Sequence, residues 1–141
     1  MWNKRFLGLA TYVASWSKDP STKVGAVIAD ENKRIVSLGF NGFARNVKDD
    51  DRLNDRNIKY AMVLHAEENA ILFAKRDLSG CNLYVSGLPP CSHCASLIVQ
   101  CGIKHVYAWK QEIPERWQES VALTEKIFEE AGVTLDFIEK D

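Results

Sequence analysis

Two short runs constrain this chain more than any other part of it: His65-Ala66-Glu67 and Pro90-Cys91-Ser92-His93-Cys94. Imidazole nitrogen and thiolate sulfur hold zinc well, and a catalytic zinc with three protein ligands keeps its fourth tetrahedral position for water. His65, Cys91 and Cys94 make such a set of three. Glu67 lies two residues from His65, within reach of water at the metal without being a ligand. A purely structural site would want a fourth Cys or His. Whatever the fold, it has to carry position 65 to positions 91 and 94.

Each piece alone has a plainer meaning. A C-x-x-C pair is also a redox motif, or simply two core thiols. A single histidine is more often buried than metal-bound, and a single glutamate is more often a solvated helix charge. The conjunction outweighs these. A His, a Glu at plus two, and a Pro directly before C-x-x-C all stand at the start of helical patterns. Helix N-termini carry partial positive charge, which favours thiolate over thiol.

The flanking sequence predicts what holds those helices. Trp2, Phe6, Leu9, Val13 and Trp16 step by four and three, one face of an amphipathic helix that Asp19-Pro20 ends. Val24 to Ala29 is continuous and apolar, a strand buried on both faces. Arg34 to Phe40 follows as its hairpin partner across the polar turn Asp30-Glu31-Asn32-Lys33. Residues 41–59 hold Asp49, Asp50, Asp51 and Asp55 beside Arg45, Lys48, Arg52, Arg56 and Lys59. They read as a solvated loop, or as a lid or subunit contact beside the site. A helix spans Met62 to Lys75, and Asn82 to Ser86 is a strand. Pro90 suits the first position of the next helix, which carries Cys91 and Cys94 and runs to about Gln100. Ile103 to Trp109 is a fourth strand. Pro114 opens a last helix stepping through Trp117, Val121, Thr124, Phe128 and Ala131, with Gly132 as its cap. Val133 to Ile138 is a fifth strand, and the helix before it lets the last two strands run parallel. The expectation is one α/β domain over residues 1–141. It has a five-stranded mixed sheet with helices on both faces and strands four and five parallel.

Composition narrows the function. Eighteen basic residues against 19 acidic ones give a net charge of -1, which argues against long nucleic acid as a partner. No apolar run approaches the roughly 20 residues of a membrane span, and the N-terminus reads as a helix rather than a signal peptide, since charges interrupt it at Lys4 and Arg5. Cys81 and Cys101 read as small buried hydrophobes. A thiolate site without a disulfide framework fits a reducing cytoplasm.

Over nearly its whole length the chain resembles the cytidine deaminase superfamily, whose signature joins H-x-E to P-C-x-x-C. Within it, the chain resembles the deoxycytidylate (dCMP) deaminases more than the tRNA adenosine deaminases. That finer resemblance lies in Ser17-Lys18-Asp19-Pro20-Ser21-Thr22-Lys23-Val24-Gly25-Ala26, Gly39-Phe40-Asn41-Gly42, His65-Ala66-Glu67-Glu68-Asn69-Ala70-Ile71 and Gly102-Ile103-Lys104. It implies a three-layer α/β/α cytidine-deaminase-like fold and hydrolysis of dCMP to dUMP and ammonia, on the way to dTMP, with 5-substituted dCMP a further candidate. It implies one zinc on His65, Cys91 and Cys94, with Glu67 as the proton shuttle. Asn41 is implied to touch the sugar, and Ser21, Thr22, Lys23 and Val24 to lie at the sugar-phosphate end. Groups around Ala66 and Ser86 are implied to read the base edge. A homo-oligomer, commonly a hexamer, and dCTP and dTTP as regulators are implied as well.

Three departures qualify this. Phe43-Ala44-Arg45-Asn46 stands where regulated members carry a Pro and a further Gly, which argues against nucleotide regulation. No Cys or His lies between Asn41 and Leu64, so no second zinc is expected. The stretch Trp109 to Glu115 differs from the usual acidic, Tyr-containing segment, which leaves the group beside the base unassigned. Two other readings remain: a deaminase of another free pyrimidine or of a base in tRNA or single-stranded nucleic acid, and a zinc module without catalysis. Ammonia release from free nucleotides separates them.

Overall fold

A computed structural model describes all 141 residues. Helix α1 (Trp2–Ala14) precedes the antiparallel pair β1 (Gly25–Ala29) and β2 (Ile35–Phe40). A 3-10 turn (Asp51–Asn54) and helix α2 (Arg56–Met62) lead into α3 (Ala66–Ala74). Then β3 (Asn82–Val85), α4 (Ser92–Gln100), β4 (His105–Trp109), α5 (Glu115–Ala131) and β5 (Thr134–Ile138) alternate. The five strands lie in the order β2-β1-β3-β4-β5. β1 runs antiparallel to both its neighbours, while β3, β4 and β5 are mutually parallel.

The period of two along each strand sorts the core into two layers. Val27, Ala29 and Tyr84 face α1, where Phe6, Leu7 and Ala10 cover them. Ala26, Ile28, Leu83, Val85 and Val106 face the opposite way, onto α3, α4 and Phe128 of α5. Full burial of each such aliphatic side chain stabilises by about 1.5–3 kcal/mol. The three-layer α/β/α arrangement expected from the pattern is therefore the one found. Gly39 lets α3 lie directly on β2: a Cβ there would stand 2.4 Å from the Ala66 carbonyl oxygen and 2.5 Å from the Ala70 nitrogen. No helix is long and apolar enough to cross a membrane.

Three local readings are corrected. Residues 41–59 are not a loop throughout. Asp55 caps α2 by accepting from the Asn57 and Ile58 amides at 3.1 and 3.3 Å, and Leu53 and Lys59 are buried. The helix expected from Met62 starts only at Ala66, and Met62 is instead the last residue of a separate helix, α2. Leu64 exchanges backbone hydrogen bonds with Gly42 at 2.8 and 3.1 Å, which holds residues 63–64 extended between α2 and α3. Pro90 lies just before the helix it was expected to open, because Cys91 is the N-cap of α4.

Candidate active site

Chain direction decides what gathers at one edge of the sheet. The parallel strands β3 and β4 deliver their carboxyl ends there, the usual ligand edge of α/β sheets. Antiparallel β1 brings its entry, residues 22–24, to the same edge, and β2 brings its exit, Asn41. Between them lies a cleft of about 340 Å³. His65 and Cys91, the N-caps of α3 and α4, line it.

The two helix starts are held from behind. The Glu68 carboxylate accepts from the His65 amide at 2.8 Å. Helix α5 fixes the other run: the Thr124 hydroxyl donates to the Pro90 carbonyl at 2.8 Å, and the Ser92 amide donates to the Ser120 hydroxyl at 3.0 Å. The result brings His65 Nδ1 to 3.2 Å from Cys94 Sγ and 3.6 Å from Cys91 Sγ. All three donor atoms lie within 4.8 Å of one another. In a tetrahedral zinc site, nitrogen and sulfur ligands stand about 3.6 Å apart, so these separations fit one zinc ion.

The protonation of the set fits a dication too. The Cys91 thiol is held down to about 4, first by its hydrogen bond with Cys94 and then by His65. Cys94 is pushed up by Cys91 and by burial. Its bond to Cys91 pushes His65 up to about 9. One sulfur thus keeps a proton and the imidazole gains one, a conflict that metal binding resolves by displacing the protons of Cys94 and His65. Glu67 is 5% exposed. Burial pushes its carboxyl up to about 7, against opposing pull from its backbone hydrogen bond and from His65.

Across the cleft, side chains bond to backbone. Asn41 Oδ1 accepts from the Val24 amide at 2.9 Å, and its Nδ2 donates to the Thr22 carbonyl at 2.8 Å. Lys23 Nζ donates to the Ser17 carbonyl at 2.6 Å. Asn41, Thr22, Lys23, Val24, Ala66 and Glu67 all line the cleft. Ser21 and Ser86 do not. Ser21 donates its hydroxyl to Asp19 at 3.1 Å, and the Ser86 hydroxyl accepts from the Gly25 amide at 2.8 Å. Among the lining residues that were not foreseen are three polar ones that follow Asn41 in sequence, Lys59, Gln111 and Arg116. Lys59 was hidden in a run of charges. Gln111, whose amide donates to the Gly87 carbonyl at 2.9 Å, and Arg116 follow β4, where the ligand-edge rule pointed.

Three helices on one sheet face and one on the other, with a His/Cys/Cys set beside a buried glutamate at the ligand edge, define a zinc-dependent hydrolytic deaminase centre. The profile of the "Cytidine and deoxycytidylate deaminase zinc-binding region" matches residues 1–110. The chain is 50% identical over 142 residues to an "Uncharacterized deaminase in luxG 3'region" of Aliivibrio fischeri, covering 99% of this chain and 95% of that one. It is 38% identical over 140 residues to the deoxycytidylate deaminase of Mus musculus, covering 94% of this chain and 77% of that one. Its fold matches dCMP deaminase from the cyanophage S-TIM5 with a TM-score of 0.74 over 96% of each chain, at 22% identity. The chain belongs to the cytidine and deoxycytidylate deaminase family.

Proposed function

We propose that this protein hydrolyses the 4-amino group of dCMP, giving dUMP and ammonia. One observation carries the proposal. A single cleft of about 340 Å³ is lined by His65, Cys91 and Glu67 together with Lys23 and Asn41. Small-ligand pockets begin at roughly 300 Å³, so this one suits a single pyrimidine nucleotide. Relatives named deoxycytidylate deaminase, at 37–38% identity, support the same substrate.

Zinc held by His65, Cys91 and Cys94 supplies Lewis acidity and a water that ionises near neutral pH. Glu67 moves the protons. It takes one from the attacking water and gives it to ring N3, then takes the second from the hydroxyl newly formed on C4 and gives it to the amine that leaves as ammonia. Its place inside the cleft lets it reach those atoms in turn. Lys23, Thr22 and Val24 hold the phosphate and sugar, Asn41 meets the sugar, and Ala66 meets the base edge. Ser21 and Ser86 brace that wall from behind.

The proposal takes residues 1–141 as one deaminase domain. It also includes a homo-oligomer, in family fashion a hexamer, supported by Trp2 and Trp16 at 44% and 46% exposure. A cytoplasmic setting is supported by four free cysteines. Regulation by dCTP or dTTP is left out, because Phe43-Ala44-Arg45-Asn46 departs from the regulated pattern. The test is ammonia release from dCMP, CMP, deoxycytidine, dCTP and 5-substituted dCMP by the zinc-loaded protein. dCMP should be the preferred unmodified substrate. Zinc-loaded protein that deaminates none of the five overturns the proposal.

A further inference from the structure

One buried ion pair at the cleft wall takes no part in the chemistry above. Asp19 and Lys59 are 2% and 6% exposed, and Lys59 Nζ stands 3.2 Å from Asp19 Oδ1. A buried pair of this kind is weak evidence for stability, because desolvation of the two charges offsets their attraction. Its position says more. Asp19 Oδ1 also accepts from the Ser21 amide at 3.0 Å, the Ser21 hydroxyl at 3.1 Å and the Thr22 amide at 3.1 Å. Lys59 adds a bond of its own to the Ser21 hydroxyl at 2.8 Å. The backbone that leads to Lys23 and Val24 is therefore wrapped around this one carboxylate.

Lys59 belongs to α2, the helix that runs through residues 63–64 directly to His65. The Gly42–Leu64 bridge ties that exit to the strand end carrying Asn41. Asn41 in turn holds Thr22 and Val24. The cradle of residues 19–24 thus hangs from two supports, Asn41 on one side and Lys59 on the other.

We infer that Lys59 is a positioning residue. Through Asp19 it latches the phosphate-end cradle to the helix leading into His65, and so sets the span between the nucleotide's phosphate and the carbon that reacts. The inference rests on the dCMP proposal. Misplacing one or two charge-assisted hydrogen bonds to phosphate costs about 10- to 100-fold in binding.

The test compares Lys59→Met, Asp19→Asn and the double variant with the unmutated, zinc-loaded enzyme. Single changes leave a buried charge unpaired and lower the Tm. The double variant removes both charges and recovers much of that loss. It should still show a KM for dCMP raised about 10- to 100-fold, with kcat within a few-fold and about one zinc per chain. Latching is overturned if the folded double variant has the KM of the unmutated enzyme, or if its loss falls in kcat alone. Should no variant fold, hydrogen exchange of the unmutated enzyme decides. Nucleotide should protect segments 19–24 and 56–62 together, and protection of one without the other overturns the inference. Failure of the unmutated enzyme to turn over dCMP counts against the substrate, and the same KM comparison is then run on whichever nucleotide it does use.

Discussion

The two ends of the cleft are built by different means. At the metal end the three ligands and the buried Glu67 come from two short runs, each at a helix start: His65 and Glu67 at α3, Cys91 and Cys94 at α4. At the proposed phosphate end the polar groups come from three separate places, residues 17–24, Asn41 and Lys59, joined by bonds from side chains to backbone and to one another. The difference is one of redundancy. A metal donor or a proton shuttle acts at one atom, so its loss is all or nothing. A cradle shares its load among several hydrogen bonds, so its losses should be graded and coupled.

The largest effect expected is at the metal end. Glu67→Ala should keep about one zinc per chain and lower kcat by about 10²- to 10⁴-fold or more, since one group makes several proton transfers. Metal analysis beside steady-state kinetics checks both halves. A variant within a few-fold of the normal rate would remove Glu67 from the chemistry and break the contrast.

Effects at the proposed phosphate end should be smaller and should fall on nucleotide binding and stability rather than on kcat. The unmutated enzyme should favour dCMP over deoxycytidine by about 10²- to 10⁴-fold in kcat/KM, since each bond to a charged phosphate contributes roughly 1.5–3 kcal/mol. Lys23→Ala should shrink that ratio and leave deoxycytidine turnover about unchanged. Equal kcat/KM values for the two substrates in the unmutated enzyme would reject nucleotide preference itself. An intact ratio in the variant would move the phosphate contact to another cation, with Arg116 next in line on the cleft.

Asn41→Ala sharpens the comparison at a lower magnitude. It deletes the bonds to the Val24 amide and the Thr22 carbonyl. The expected cost is about 1–3 kcal/mol of stability, or a few degrees of Tm for each kcal/mol, together with a raised KM. A variant with unchanged Tm and KM would show that the cradle does not depend on this side chain.

The smallest effect concerns acid. Burial raises the Asp19 carboxyl, but the Ser21 and Thr22 amides and Lys59 outweigh it, holding the group below its ordinary 3.8. Between the folded value and 3.8 the unfolded chain binds more protons, so stability rises with pH there. The contribution is present above 3.8 and is lost as pH falls through the folded value. Asp19→Asn should therefore differ most from the unmutated protein near neutrality and converge with it in acid. Urea melts at pH 7 and pH 3 measure this, and a gap of the same size at both would assign the loss to packing rather than charge.

Local sequence by itself determined the metal ligands, Glu67 and the five strands. Each depends on spacing within a few residues: a donor at a helix start, an apolar step of two or of four and three, a glycine after a last turn. Tertiary structure alone decided the rest. Helix α2 is short, with Arg56 and Lys59 its only charged residues, and its burial of Lys59 depends on a carboxylate far back in the chain, at Asp19. Ser21 and Thr22 are adjacent hydroxyls with the same polarity, yet Thr22 lines the cleft while Ser21 turns to Asp19 and Lys59. No local period encodes that choice, because it is made by whichever long-range partner satisfies a buried polar group. The sheet's strand directions bring those partners within reach.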